Sequence, residues 1–542
     1  ENIDHIEIVK GPMAVQYGTG AIAGVINIIT KENAYFKNIV KVNSYVDHKN
    51  KYDFGIYGSA IRGKHTFTLS GNRSLFQGMD IDLNETGLHD RYMEFKPKRV
   101  YNADAEYGYR KGEFNFRLKS QFMSSLIKDY ANYAEGLGVY AYDADYYTNR
   151  STSSLTISDQ LSEQLSYNII GAYTWYGRNS YDITSDLHEL ERWVSDTTST
   201  TFNTVMTRGS LSWVPGEKFS MLSGWDFNYD NGSGDKIQEG AEIGDYAAFV
   251  SAQYSPLKKL SIQPGMRFIY NTRYGAPFIP SLSIHWTIMP DLVYRVSYGK
   301  GFRSPTLKEL YMDFRDSNHD IHGNPNLEAE TTNSFNTSLD YTLKSRQLRF
   351  KIQPSAFYNY GRDVIILSIE DGESNTATYD NLQSQKTMGG EANLSLQHAS
   401  GWMLRAGFSR IGESYDESGL GEWTSTIFYN NYNFSVKYTL QKTGTSFNAN
   451  LKYYGETPRL TSLPEEQGGG LYRVYTQPYA DLEATITQKL WKNRLNLVLG
   501  GKNLLNYYEG QTTGYQTDIE TQYNPLYYGR VWFLKLNLTL RK

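Results

Sequence analysis

Apolar and polar residues alternate one by one through long stretches of this 542-residue chain, and no apolar run approaches the roughly 18 residues that a membrane-spanning helix needs. Phe447, Ala449, Leu451 and Tyr453 alternate with Asn448, Asn450 and Lys452; Leu482, Ala484 and Ile486 alternate with Glu483, Thr485 and Thr487; Leu348, Phe350 and Ile352 alternate with Arg349, Lys351 and Gln353. Period two puts each set on its own face of a strand, one face free of charge and the other rich in it. A soluble sandwich alternates in the same way, so the pattern dictates strands without naming the medium.

The aromatic content bears on the medium. Tyr 46, Phe 24 and Trp 9 make 15% of a chain whose hydrophobic share is only 39%. That mixture suits strands with one face to lipid and one to water, ringed by aromatic residues at both interfaces. Helical spans are excluded and no run of amphipathic helix stands out, which leaves a closed β-barrel as the route into a bilayer. Residues 33–542 divide into roughly 22 strands at about 23 residues per strand plus connection.

Connections alternate in length. Short ones fall at Pro256 to Lys259, Met289 to Asp291 and Trp491 to Arg494; long ones at Asp129 to Arg150, Tyr181 to Thr201, Asn228 to Gly244, Thr306 to Glu330 and Gly412 to Tyr432. Short turns belong on the periplasmic side and long loops outside. The long segments are rich in Tyr, Asp, Asn and Gly, a makeup that ligand-contacting loops and plain surface loops share.

Several function classes drop out. Cysteine is absent, which removes disulfides, thiolate catalysis and Cys-based metal sites and suits a chain that crosses an oxidising periplasm unfolded. A net charge of −4 with interspersed signs gives no footprint for nucleic acid. H-E-x-x-H, P-loop and G-x-S-x-G patterns are missing, and no enzyme is expected. Gly18-x-Gly20-x-x-Ala23 fits a loose dinucleotide fingerprint, but the β-branched Val25 to Thr30 that follows is too short for a crossover helix.

The first 31 residues carry a different pattern: Ile3-Asp4-His5-Ile6-Glu7-Ile8-Val9-Lys10-Gly11-Pro12, then Tyr17-Gly18-Thr19-Gly20-Ala21-Ile22-Ala23-Gly24-Val25-Ile26-Asn27-Ile28-Ile29-Thr30-Lys31. It reads as a strand, a Gly-Pro turn, a glycine-rich loop and a second strand. This segment resembles the end of the plug domain of TonB-dependent outer-membrane receptors, with Ala23 where that family commonly has glycine; Gly11, Pro12, Gly18, Gly20, Gly24 and Asn27 carry the motif as structural residues. Further on, Gly301-Phe302-Arg303-Ser304-Pro305-Thr306-Leu307-Lys308-Glu309-Leu310-Tyr311 is similar to the family's GFRAPSLxELY. Gly323-Asn324-Pro325-Asn326-Leu327-Glu328-Ala329-Glu330 is similar to GNPDLKPE, and Gly500 to Asn506 to a penultimate-strand motif. The family usually ends on an aromatic residue, whereas this sequence ends on Arg541-Lys542.

The resemblance implies an all-β fold: a 22-stranded antiparallel transmembrane β-barrel, residues 33–542, preceded by the C-terminal part of a plug, residues 1–32. Because the sequence opens inside the plug pattern and Glu1 and Asn2 begin no leader pattern, a truncated N-terminus is expected, with the TonB-contacting box and most of the plug outside it. The implied function is active import, in the outer membrane, of a scarce nutrient, with ligand contact by at least two of the long loops. An iron complex (ferric siderophore or haem) is the first expectation and cobalamin the alternative; a passive porin-like channel would need no plug. The implied partners are a TonB-type inner-membrane energy complex, outer-membrane lipid and, further afield, a surface lipoprotein. No intrinsic cofactor or metal is expected beyond iron or cobalt within the transported ligand.

Three site readings follow. Arg303, Pro305, Glu309, Asn324 and Pro325 are read as structural barrel residues, with Arg303 and Glu309 paired near a wet loop base where a pair is worth roughly 0 to 1 kcal/mol. His319 and His322 have the spacing of two ligands; the resemblance to haem receptors makes them substrate-binding candidates, against the plainer reading of solvated loop histidines. Asp226, Asn228 and Asp230 start like a calcium loop, but the glycine is displaced to Gly232 and Ile237 replaces the closing Glu; only a looser calcium site in an acidic loop stays open.

Overall fold

A computed structural model describes residues 3–10, 14–21, 24–30, 37–80, 91–131, 140–186, 189–315, 320–369, 376–416, 423–462, 471–514, 522–525 and 529–541. Among these, 22 strands close into one antiparallel barrel. Each wall strand pairs with the next in sequence, and the last, Val531–Arg541, returns to the first, Asn38–Asp47, in a register from Ile39 opposite Arg541 to Asp47 opposite Phe533. Closure leaves no wall strand with an unpaired edge, the condition for strands in lipid.

The alternation in sequence becomes two faces of the wall. Leu451, Phe434, Phe408 and Ile486 point outward and are exposed, while Lys41, Asn43, Asn102, Asp104, Asn496, Lys535, Asn537 and Thr539 line a lumenal cavity. Rings gather outward near the short turns: Phe67 packs at a tilt on Tyr107 and Tyr107 edge-on to Phe116 on one side of the barrel, while elsewhere Trp213 meets Phe219 edge-on and Trp402 stacks on Tyr438. This is one aromatic girdle of a bilayer-spanning barrel. At the turn Trp491 to Asn493, three consecutive residues take φ of 48°, 53° and 65°.

Loop lengths depart from the sequence reading. Tyr181 to Thr201 is mostly strand: Leu165–Asp186 pairs with the 25-residue Arg192–Gly216, with Asp182 opposite Asp196 and Tyr181 opposite Thr197. Asn228 to Gly244 likewise belongs largely to Phe219–Gly234 and Glu242–Leu257. Above the lipid both faces of a hairpin meet water, so the apolar period vanishes while the backbone ladder continues. Two mouth-side connections also form a small sheet of Thr457–Ser462, Leu471–Thr476, Glu509–Gly514 and Gln522–Pro525.

The first residues form a separate unit inside the wall. Strand β1 (Ile3–Lys10) pairs antiparallel with β2 (Gly24–Thr30), Ile8 opposite Ile26, and the one-turn helix α1 (Ala14–Tyr17) lies between them in sequence. Ile8 lines a cavity of about 1000 Å³ together with the inward Gln253, Gln263, Asn336 and Glu391, so the hairpin stands in the lumen. Gly11 and Pro12 lie outside the described residues.

A charge placed on the lipid face near the middle of Thr445–Tyr454 meets hydrocarbon. Leu451→Arg is expected to lower stability by about 2–4 kcal/mol, and Asn450→Arg, which faces the lumen beside Glu483, by less than about 1 kcal/mol; urea unfolding in phospholipid vesicles measures both.

Candidate functional site

At the long-loop end of the barrel the chain folds back into the mouth. The wall strand Leu292–Arg303 ends at the buried Pro305, and the short helix α2 (Leu307–Tyr311) begins with a capping box: the Thr306 hydroxyl accepts from the Glu309 amide at 3.2 Å and a Glu309 carboxylate oxygen accepts from the Thr306 amide at 2.7 Å. The box satisfies two helix-end donors and fixes where Glu309 points. Leu307, Leu310 and Tyr311 are thereby buried against Phe302, Leu327, Ala329 and Ile279, in a core that also takes Ala14, Val15 and Ala21 from around α1. One apolar cluster thus joins the mouth fold, the wall and the lumenal segment.

Arg303 holds this region by charge. Its guanidinium donates to both oxygens of Glu309 at 3.1 and 3.0 Å and to Glu330 at 2.6 Å, and Glu330 also accepts from the Ile365 amide at 2.7 Å. Arg303 is 29% exposed, Glu309 15% and Glu330 13%. The site is drier than a rim and the geometry is forked, so charged hydrogen bonds here are worth about 1.5–3 kcal/mol rather than a surface pair's fraction. Asn324 donates to the Tyr379 carbonyl at 2.9 Å and accepts from the Asn326 amide at 2.9 Å, and its own amide donates to the Glu309 carbonyl at 2.8 Å. Pro325 sits exposed in that turn. Gly323 is required by closeness: a Cβ there would stand 2.5 Å from the Tyr311 and Met312 amide nitrogens.

The lumenal segment meets this hub through its glycine loop. The Gly20 amide donates to the Phe302 carbonyl at 2.9 Å, and the Ser304 amide and hydroxyl both donate to the Thr19 hydroxyl, at 2.8 and 2.9 Å. Gly18 has φ +80°, and a Cβ on it would lie 2.9 Å from Arg267, whose buried guanidinium pairs with Asp226 at 3.0 Å. Arg208 donates to the Gln16 carbonyl and lies 5.2 Å over the Tyr17 ring. Gly24 pairs with Lys10 in the hairpin, and Asn27 donates to Glu7 at 3.0 Å.

The acidic run does not form a loop. Asp226, Asn228 and Asp230 stand on one face of Phe219–Gly234, bonded to Arg267, Asp226 and Thr204 respectively, and among the described residues no group of three or more His, Asp or Glu is placed to hold a metal. His319 lies outside the described residues. His322 is on the short strand Asp320–His322, with Nε2 2.8 Å from Asp320 and Nδ1 3.6 Å from Asp313, so both ring nitrogens face carboxylates. The Thr376 hydroxyl, ahead of His322, holds the Asp320 carboxyl below its ordinary range. Burial, reinforced by Asp245, pushes the Tyr274 phenol up and keeps it protonated.

On the other side of the mouth the inward face is aromatic. Tyr454 stacks on Tyr479 at 4.5 Å and Tyr479 on Tyr507 at 4.8 Å, with Lys452 Nζ 4.4 Å from the Tyr454 ring. Tyr415 and Tyr429 both donate to Glu413 at 2.9 Å, and Tyr45 stacks on Phe533 at 5.3 Å beside Lys502. These residues lie at strand ends rather than in the loops where the sequence reading put ligand contact. Inward parity beside a long connection is the signal that would have found them.

The family profile described as TonB dependent receptor-like, beta-barrel, matches residues 38–537. An iron-regulated outer membrane virulence protein of Vibrio cholerae serotype O1 is 25% identical over 483 residues, 85% of this chain and 68% of that protein. The vitamin B12 transporter BtuB of the same organism is 21% identical over 460 residues, 80% of this chain and 67% of its own. Among solved structures, the siderophore receptor PirA from Acinetobacter baumannii superposes with a TM-score of 0.78 at 16% identity, covering 100% of this chain and 85% of that one.

The left-handed backbone at Gly18 and the adjacent Arg267 leave no room for a side chain. Gly18→Ala is expected to weaken docking of the lumenal segment by about 1–2 kcal/mol, seen as faster amide exchange in residues 14–21 while the wall strands stay protected.

Proposed function

Since the chain belongs to the TonB-dependent receptor-like β-barrel family, a family of outer-membrane receptors and transporters, we propose that it imports a ferric siderophore, with energy supplied by a TonB-type complex of the inner membrane. The observation that carries this reading is the docking of the glycine loop on the wall: Thr19 and Gly20 meet Ser304 and Phe302 through a few hydrogen bonds, each worth about 0.5–1.5 kcal/mol net. Contacts of that size, beside the small apolar patch of Ala14, Val15 and Ala21 and the Arg208 bond to Gln16, hold the segment in the lumen at rest and yield when it is pulled. The Arg303, Glu309 and Glu330 cluster keeps the wall side fixed meanwhile.

The aromatic inner face supports the choice of ligand. Stacked tyrosines flanked by Lys452 and Lys502 offer ring faces and positive charge to a flat, anionic, aromatic iron chelate. The curated relative named as iron-regulated and the solved siderophore receptor point the same way. Haem ranks lower, since His322 is engaged by two carboxylates. Cobalamin import is the second reading, favoured by the vitamin B12 transporter among the relatives. The iron or cobalt is cargo within the ligand.

Cells carrying the full receptor are expected to take up a radiolabelled ferric catecholate saturably and to lose that uptake when a protonophore collapses the inner-membrane gradient. Uptake of cobalamin instead would support the second reading; uptake that rises linearly with concentration and ignores the protonophore would replace both with a passive channel.

A further inference from the structure

We propose that Arg362, Lys386 and Arg410 form a docking surface for the phosphate groups of outer-leaflet lipopolysaccharide. The three residues lie on the adjacent wall strands Leu348–Ile369, Thr376–His398 and Trp402–Asp416. They share outward parity with the exposed Tyr358, Leu394 and Phe408, whereas Glu391 and Asn393, of the other parity, line the lumenal cavity.

Their height follows from strand length, because a transmembrane β-strand crosses in about 9–11 residues. Counted from the turn-side Phe350, Leu396 and Trp402, the crossing ends near Tyr360, Lys386 and Gly412. Lys386 is therefore at the headgroup boundary and Arg362 just above it; Arg410 starts slightly below, within reach by extending its side chain toward water.

Aromatic rings hold these cations without neutralising them. Lys386 Nζ is 3.4 Å from the Trp423 ring centroid and 5.9 Å from that of Tyr360; Arg362 lies 5.0 Å over Tyr360 and Arg410 4.9 Å over Phe428. Among the described residues none of the three has a carboxylate within ion-pair distance. The inward Arg267, Arg295 and Arg303, by contrast, each pair with Asp or Glu. Arg362 and Lys386 at the headgroup level and Arg410 reaching up to it, three cations without an ion-pair partner among the described residues on a face that lipid must cover, match a lipid bearing phosphate at that level. Lipopolysaccharide in the outer leaflet meets that description through its phosphorylated lipid A. This inference rests on the outer-membrane placement alone and is independent of the transported ligand.

The test titrates the full receptor in detergent micelles with bis-phosphorylated lipid A, with the same lipid after phosphatase treatment, and with inorganic phosphate, reading retained lipid by native mass spectrometry. Wild type is expected to retain lipid A, and R362A/K386A/R410A to bind it roughly a hundredfold more weakly, the product of three charges lost from a lipid-facing site. The charge-preserving R362K/R410K is expected to keep most of the affinity. Lys258→Ala/Lys259→Ala, at a turn on the opposite rim, removes two charges and should change nothing. Heat-modifiable migration on a gel reports whether each variant is a folded barrel. Should the triple variant not fold, the phosphatase arm on wild type decides. Unchanged binding by a folded triple variant, or equal retention of phosphorylated and dephosphorylated lipid, would overturn the proposal; so would displacement of lipid A by equimolar inorganic phosphate, which would mark a free-anion site.

Discussion

Every backbone amide and carbonyl that faces hydrocarbon must find its partner within the chain, and the pairing of Val531–Arg541 with Asn38–Asp47 is what lets this one comply. Without that seam the first and last strands would each expose a row of donors and acceptors to lipid. Closure also fixes the side chains. With 22 strands paired round the wall, alternate residues are committed to lipid or lumen, so rings line the lipid face, Asn, Ser, Lys and Asp line the lumen, and inward tyrosines appear toward the mouth.

A lumen of this width cannot be filled by wall side chains alone. The chain answers with two inserts that meet each other: the hairpin of β1 and β2 with α1, and the mouth fold around α2. They share the apolar cluster of Ala14, Val15, Phe302, Leu307 and Leu310. Charged groups around it are matched, Arg303 by two glutamates and Arg267 by Asp226. The result is a lumen filled at the mouth on one side and presenting stacked tyrosines on the other.

Strand identity was legible because period two persists wherever one face meets lipid, as at Phe447 to Tyr453. It failed above the membrane, where Arg192 to Thr201 continues a ladder with water on both faces and gives no apolar rhythm. The nearness of Arg303 and Glu309 could be suspected, since six residues separate them across a proline turn. Glu330 could not, because it is brought opposite Arg303 only by the register of Glu330–Lys344 on Leu292–Arg303. The inward tyrosines were hidden for the same reason: Tyr454 meets Tyr479 only through the pairing of Thr445–Tyr454 with Tyr479–Leu490, and Tyr45 meets Phe533 only where the last strand closes on the first. The acidic run at Asp226 looked like a loop because spacing alone carries no sign that its residues alternate along a strand.

The central claim is that the glycine loop rests on the wall at Thr19 and Ser304 and must leave it for cargo to pass. Residues 1–542 contain no cysteine, so Thr19→Cys/Ser304→Cys is introduced into the full receptor with any cysteine elsewhere replaced by serine, oxidised in cells, and radiolabelled ferric siderophore uptake measured before and after reduction. The account predicts that oxidation stops uptake while surface binding persists, and that reductant restores uptake. Undiminished uptake through a receptor verified as cross-linked would contradict it.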